Sequence, residues 1–267
     1  MRIGELWKAS VRGRWFIGVL GGTVLLWEVL VWLFQPAIFI LPPPSAVIQE
    51  FWVSPLVFLK HTVFTVSVTL IAFGFAVVVG VLLAIGIVYS AVVERTLYTL
   101  LIALNSIPKV ALAPLFVIWL GTDAAPKVAI AFTIAIFSIV IDTVMGLRSV
   151  DPDVLDLAKA GRASHMQVLL KLRLPTALPN LFAGMKVAIS FALVGTIVGE
   201  FVAGTVGLGH LILLSQGNFN TPRVFAAIVI LGIVGTILFY LVDIAERFLL
   251  PWHVSHRAAA APTEHRI

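Results

Sequence analysis

The feature that most constrains this fold is a run of 33 residues, from His61 to Val93, without a single Asp, Glu, Lys or Arg. Further charge-free and mostly apolar stretches lie at 110–122, 128–141, 187–199 and 224–242. Charged residues make up only 12% of the chain, about half the share found in soluble domains. One globular core could not bury so much apolar surface, so lipid is the expected solvent. The stretches are continuous rather than alternating, which favours membrane helices over a β-barrel.

The apolar stretches predict an all-α, polytopic membrane bundle of about six transmembrane helices. The predicted spans are 15–34, 63–89, 96–120, 127–147, 183–204 and 224–248. They form one transmembrane domain at 15–252, with an N-terminal segment at 1–14 and a disordered tail at 253–267. No small-residue cleavage site follows the basic N-terminus, so the first span is predicted to be retained.

Prolines divide the chain at two further places. The sequence LPPPS at 41–45 cannot continue a helix, and a short interfacial helix capped by Ser45 is expected after it. Pro108 and Pro114 interrupt the third span and predict a kink there.

The distribution of basic residues predicts the orientation in the membrane. With the N-terminus in the cytoplasm, the cytoplasmic segments hold 14 Lys and Arg residues and the external segments hold three, namely Lys60, Lys127 and Arg223. Both termini are therefore predicted to be cytoplasmic. The net charge of +5 is spread over the span ends, which does not indicate a nucleic-acid partner.

A polar, basic insert at about 148–182 separates the fourth and fifth spans. Asp151-Pro152 is a helix start, and Gly161 is expected to end that helix. Ser164 and Gln167 form a capping-box pattern for a second helix, predicted to end before Pro175. Two short helices joined by a low-profile turn could receive a partner surface, although an amphipathic loop on the membrane surface is an alternative.

This polar insert (148–182) resembles the cytoplasmic "EAA" loop of the binding-protein-dependent ABC importer permeases. The residues that match the loop pattern, or hold its turn, are Asp156, Leu157, Ala158, Gly161, Arg162, Ala163, Ser164, Gln167, Leu174 and Pro175. Arg162 stands where the family has glycine, and Gly161 lies one residue early. Similar motifs extend over roughly 40–250: LPPPS at 41–45, IPKVALAPLFVIWLGT at 107–122, LPTALPNLFAGMKVA at 174–188 and GLG at 207–209. They resemble the branch that handles nitrate, sulfonates, taurine and thiamine-precursor pyrimidines.

The resemblance implies a multi-pass permease of a bacterial-type inner membrane, working as a homodimer. Its partners would be ABC ATPase subunits, bound at the polar insert, and an extracytoplasmic substrate-binding protein. A P-loop needs glycine before its lysine, and none of the seven lysines here follows a glycine. ATP and Mg²⁺ are therefore expected on the separate ATPase, and this chain is expected to be neither an enzyme nor a cofactor or metal binder. Arg162, Lys171 and Arg173 could pair with acids on that ATPase.

Polar residues inside the spans are candidates for the substrate pathway. They are Asn105, Ser106, Thr196 and Glu200; Glu200 could equally well fix helix packing. Gly195 and Gly199 form a GxxxG pattern that permits close helix approach.

Two other functional classes compete with the importer permease. An ion-coupled carrier or channel would favour a relay of acids within the spans, and only Glu200 lies well inside one. An intramembrane enzyme needs a catalytic pair, and no such pair is visible.

Overall fold

A computed structural model of the chain describes residues 3–90, 92–96, 100, 103 and 107–251, with the backbone alone described at 3–17. The described part consists of helices joined by turns and short loops, without a strand, so the all-α prediction is confirmed. Its helices are α1 (Ile3–Phe34), α2 (Pro44–Val53), α3 (Pro55–Tyr89), α4 (Ala113–Leu120), α5 (Ala124–Arg148), α6 (Pro152–Ala160), α7 (His165–Val168), α8 (Leu174–Ala203), α9 (Leu208–Gly217) and α10 (Thr221–Leu249). A 3₁₀ turn, Lys109–Leu112, precedes α4, and a π turn, Leu169–Arg173, joins α7 to α8.

Within the described residues, four helical segments are long and apolar enough to cross a bilayer. They are Pro55–Tyr89, Ala124–Arg148, His165–Ala203 and Thr221–Leu249. They coincide with the predicted second, fourth, fifth and sixth spans, so the multi-pass architecture is confirmed. The total of six spans remains a prediction, because part of the third span lies outside the described residues and Gly18–Phe34, in the first span, is only a shorter apolar helix. The tail at 253–267, predicted to be disordered, also lies outside the described residues. No break in α1 marks the predicted boundary at residue 15.

The proline interruption predicted in the third span is present. Pro108 has an extended backbone and precedes the 3₁₀ turn, while Pro114 lies in the first turn of α4. Both positions suit proline, because neither requires its missing N–H as a helical donor. α4 ends at Leu120, and Gly121 follows it with a φ of 81°, which glycine adopts readily.

The described residues form two compact units, one within 3–61 and 211–230 and the other within 62–210 and 231–251. In the first unit, the Glu28 carboxylate of α1 accepts hydrogen bonds from the Ser45 amide, at 3.0 Å, and the Ser45 hydroxyl, at 2.8 Å. The expectation that Ser45 caps α2 is therefore wrong. The helix already begins at Pro44, so Ser45 is a first-turn donor and Glu28 acts as its acceptor.

A second contact in the first unit holds α2 to the beginning of α10. The Arg223 guanidinium donates to the Glu50 carboxylate at 2.9 Å, and both side chains are largely buried. The Thr221 hydroxyl donates to the Phe39 carbonyl at 2.7 Å. Arg223, which counted only as an external charge in the topology prediction, is therefore also a packing residue.

The core of the second unit is the close packing of α5 against α8. A Cβ atom added at Gly195 would lie 2.6 Å from Ala131 Cα, and one at Gly199 would lie 2.9 Å from Lys127 Cα. Near the opposite end, a Cβ at Gly146 of α5 would lie 2.8 Å from Ala177 Cα. Helix approach of this kind depends on small residues, because lipid supplies little hydrophobic force between helices. The GxxxG prediction is therefore confirmed, and α5 and α8 form a tightly packed pair.

An ion-pair cluster holds α8 to α10 within the same unit. The Lys186 ammonium lies 2.6 Å from the Asp243 carboxylate and also pairs with Glu246. Asp243 pairs in addition with Arg247 at 2.8 Å. Two acids one helical turn apart near the end of an apolar span could have indicated this cluster in the sequence.

The α5–α8 contact predicts that Gly195→Ala destabilises the protein, whereas Gly74→Ala does not. Both glycines are helical, but nothing lies within 4 Å of a Cβ added at Gly74. Overpacking at Gly195 should cost about 1–3 kcal/mol, measurable as a lower unfolding temperature in detergent. Equal unfolding temperatures for the two variants would contradict the tight packing.

Candidate functional site

The polar insert begins with a capped helix, as predicted. The Asp151 carboxylate accepts a hydrogen bond from the Asp153 amide at 2.9 Å, and Pro152 occupies the first turn of α6. Asp153 lies near the positive end of the helix dipole and Lys159 near the negative end, which further stabilises this short helix.

The turn after α6 has a left-handed residue at Arg162, not at Gly161. Gly161 has a φ of −75°, whereas Arg162 has a φ of 51°. The Arg162 amide donates to the Lys159 carbonyl and the Ala163 amide to the Ala158 carbonyl, each at 2.9 Å. This pair of bonds is the Schellman arrangement, in which glycine usually fills the left-handed position. Gly161 does lie at the end of α6, but the position that requires glycine-like backbone geometry is Arg162.

The second helix of the insert has the predicted capping box. The Gln167 amide donates to the Ser164 hydroxyl at 3.2 Å, and the Ser164 amide donates to the Gln167 side chain at 2.8 Å. The expected end before Pro175 is wrong, because the helical segment runs unbroken from His165 to Ala203. The wide π turn just before Pro175 accommodates a residue that cannot donate a backbone hydrogen bond.

Two side chains attach the insert to the membrane helices beside it. The Arg173 guanidinium donates to the Leu147 carbonyl at 3.0 Å, near the end of α5, and lies 5.7 Å from the Tyr89 ring. The Tyr89 hydroxyl, at the end of α3, donates to the His165 carbonyl at 3.2 Å. Arg173 therefore has an intramolecular role, which the sequence did not indicate. Of the three basic residues expected to pair with acids on the ATPase, Arg162 and Lys171 are exposed.

The insert exposes apolar side chains despite its polar composition. Leu157 is 74% exposed and Met166 is 61% exposed, and Val154 lies one turn before Leu157 on α6. Asp156 is occupied by a salt bridge to Lys159 at 2.8 Å. Ala163 and Leu174 are half-buried, while Gly161, Ser164 and Pro175 are exposed. The arrangement can offer a rigid, partly apolar surface to another protein.

The pathway candidates Thr196 and Glu200 lie together in a buried polar cluster of the second unit. The Thr65 hydroxyl of α3 donates to the Glu200 carboxylate at 2.8 Å, and the Gly209 amide donates to it at 2.7 Å. One turn away, the Thr69 hydroxyl lies 3.0 Å from that of Thr196. All four of these side chains, Thr65, Thr69, Thr196 and Glu200, are fully buried. The other two candidates, Asn105 and Ser106, lie outside the described residues.

The buried Lys127 side chain donates hydrogen bonds to backbone carbonyls at nearby helix ends. The Lys127 ammonium donates to the carbonyls of Thr122, Asp123 and Ala203 at 2.7, 2.6 and 3.1 Å, respectively. The side chain is 1% exposed. The topology prediction gives Lys127 only the role of an external charge. An isolated lysine at the start of a long apolar span could also have indicated this structural role. Thr65 and Thr69 lie one helical turn apart in a charge-free run, and this spacing could likewise have indicated a buried polar contact.

Among the residues described, no group of His, Asp and Glu side chains could hold a metal ion.

Comparison with known proteins gives the family. Residues 76–251 match the family model of the binding-protein-dependent transport system inner membrane component. A riboflavin transport system permease protein, RibX, of Chloroflexus aurantiacus is 36% identical over 87% of this chain and 87% of its own length. A formylaminopyrimidine transport permease protein, ThiX, of Halalkalibacterium halodurans is 32% identical over 86% of this chain and 92% of its own. A putative aliphatic sulfonates transport permease protein, SsuC, of Bacillus subtilis is 31% identical over 92% and 90%.

Solved structures agree in fold. A chain of the MetNI methionine ABC transporter, in an inward-facing conformation, aligns with a TM-score of 0.60 at 19% identity, covering 79% of this chain and 97% of that one. A chain of an amino acid ABC transporter aligns with a TM-score of 0.61 at 15% identity, covering 74% and 97%. With these matches in sequence and fold, the chain belongs to the family of binding-protein-dependent transport system inner membrane components, the permease subunits of ABC importers.

Proposed function

We propose that two copies of this chain form the pathway of an ATP-driven importer in a bacterial-type plasma membrane, with both termini in the cytoplasm. Two ATPase subunits bind at the two polar inserts and hold the ATP and Mg²⁺. A substrate-binding protein delivers the solute from the opposite side.

The observation that carries this proposal is the rigidity of an exposed insert. Asp151 caps α6, the capping box of Ser164 and Gln167 orders α7, and Arg173 fastens the segment to α5. A loop that only connected two membrane helices would not need this order. The exposed Leu157 and Met166 are suited to burial against a soluble partner.

The mechanism follows from the connection of the insert to the core. Closure of the ATPase on ATP would displace the insert. Because α7 continues without a break into α8, and Arg173 bonds to the end of α5, both helices of the tight pair would move with it. The ATPase would thus switch the pathway between outward-open and inward-open states, to which it binds with different affinity.

The solute is proposed to be a small organic molecule of the kind named for the relatives, which transport riboflavin, formylaminopyrimidine or aliphatic sulfonates. The binding protein would contribute most of the selectivity. An ion-coupled carrier has less support, because Glu200 and Asp243 each hold neighbouring elements together through hydrogen bonds or ion pairs.

The exposed apolar surface predicts that Leu157→Ser weakens ATPase binding, whereas Lys159→Ser on the same helix does not. Co-purification with the ATPase encoded beside this chain is the measurement. We expect at least a tenfold loss for the leucine variant, since a buried anchor at an interface contributes about 2 kcal/mol or more. Equal retention of the ATPase by both variants would contradict the assignment of this surface.

The left-handed turn predicts opposite outcomes for Arg162→Gly and Arg162→Val, which both remove the guanidinium. Glycine adopts a φ of 51° without strain, whereas a β-branched residue does not. We expect the glycine variant to keep ATP hydrolysis by the complex within about twofold, and the valine variant to lose most of it. If both variants lose hydrolysis equally, the charge of Arg162 matters rather than the turn.

The topology can be tested by labelling single introduced cysteines, because the chain itself has no cysteine that would react. In intact spheroplasts, Thr205→Cys is expected to react with a membrane-impermeant maleimide. Lys159→Cys should react only after permeabilisation, because the proposed orientation puts the insert in the cytoplasm. The reverse pattern would contradict that orientation.

A further inference from the structure

The 204–209 turn, defined as the connection after α8 together with the first two residues of α9, is held by the buried Lys127 and Glu200 side chains. At its beginning, the Lys127 ammonium bonds the Ala203 carbonyl, the last residue of α8. At its end, the Glu200 carboxylate accepts the Gly209 amide in the first turn of α9. Each charge faces the end of a helix dipole that it stabilises. The turn is therefore fixed at both sides.

Three glycines allow the turn to pack closely against Glu200. A Cβ at Gly207 would lie 2.1 Å from the Glu200 carboxylate carbon, and Gly207 has a φ of 123°. A Cβ at Gly204 would lie 2.3 Å from the Glu200 carbonyl oxygen, and one at Gly209 would lie 3.0 Å from the Glu200 side chain. The backbone thus wraps the carboxylate at contact distance.

Thr65 connects this turn to a third helix. Its hydroxyl donates to Glu200 at 2.8 Å and accepts the Leu208 amide at 2.9 Å. A hydroxyl cap alone would satisfy α9 without burying a charge, which costs several kcal/mol per ion. The carboxylate instead connects α3, α8 and α9 through one group.

The turn and the polar insert lie at opposite ends of one helical segment. α8 has 30 residues, a length of about 45 Å, which exceeds the hydrocarbon core of about 30 Å. Its two ends therefore reach opposite sides of the bilayer. The insert at one end continues directly into α8, and Thr205 at the other end is exposed.

We propose that Glu200, Thr65 and Lys127 are positioning residues that bind the 204–209 turn rigidly to α8, so that the turn moves with the polar insert when the ATPase closes. This inference rests on the proposed function, because it requires an ATPase at the insert. Glu200 therefore helps to pass the movement of the insert to the turn on the opposite membrane face, rather than contacting the solute. The binding protein, on the outer side, would meet a turn whose position reports the state of the ATPase.

The test uses the full complex in proteoliposomes, with an environment-sensitive fluorophore on Thr205→Cys. Addition of ATP and vanadate, which traps the ATPase closed, is expected to change the signal of the parent protein. Glu200→Gln should reduce that change at least fivefold, because the Thr65 hydroxyl and the Gly209 amide donate to different carboxylate oxygens, and Gln replaces one of these oxygens with an NH2 group that cannot accept. Thr65→Val should reduce it similarly, and Thr65→Ser should restore it.

Thr69→Val is the matched control, because Thr69 is equally buried on the same helix but does not touch the turn. It should leave the signal change intact. A normal signal change in Glu200→Gln, or loss of the change in Thr69→Val as well, would overturn the inference, as would a parent protein that hydrolyses ATP without any change at Thr205. If no ATPase co-purifies with the parent protein, the proposed function itself fails, which is a separate outcome.

Discussion

The rest of this structure depends on the requirement that backbone groups at helix ends find partners where water is scarce. Charged side chains from neighbouring helices meet much of that requirement. Glu28 accepts from the first turn of α2, Glu200 accepts from the first turn of α9, and Lys127 donates to the last carbonyl of α8. The Arg173 guanidinium likewise donates to the Leu147 carbonyl near the end of α5. Such charges both satisfy the backbone and fix how successive helices are placed within each unit.

Within the second unit, the close contact of α5 and α8 supports the Lys127 and Glu200 caps. Gly195 and Gly199 bring the two backbones together, and Lys127 lies at the same contact, so packing and capping coincide there. The insert is attached at the other end of the same helix pair. In the proposed importer, this helix pair would carry a displacement of the insert through the second unit, because neither helix can shift far without losing contact with the other.

Hydrophobic pattern, capping signals and motif spacing were enough to predict the all-α membrane fold, four of the spans and the two capped helices of the insert. Local sequence determines those features. It did not predict that the helix continues through Pro175, because a π turn is set by the surrounding packing rather than by propensity. Nor could it separate the topological role of Lys127 from its capping role, since that depends on which carbonyls the fold brings within reach.

The π turn at Leu169–Arg173 has a consequence for how members of such a family can diverge. A π turn amounts to one extra residue within an α-helix, and it sets the rotational phase of α7 relative to α8. Loss of that residue would rotate the exposed side of the insert by about 100° while every cap within it stayed intact. The π turn therefore sets the rotational position of the insert, which we propose binds the ATPase, relative to α8. A single insertion or deletion there could change that position.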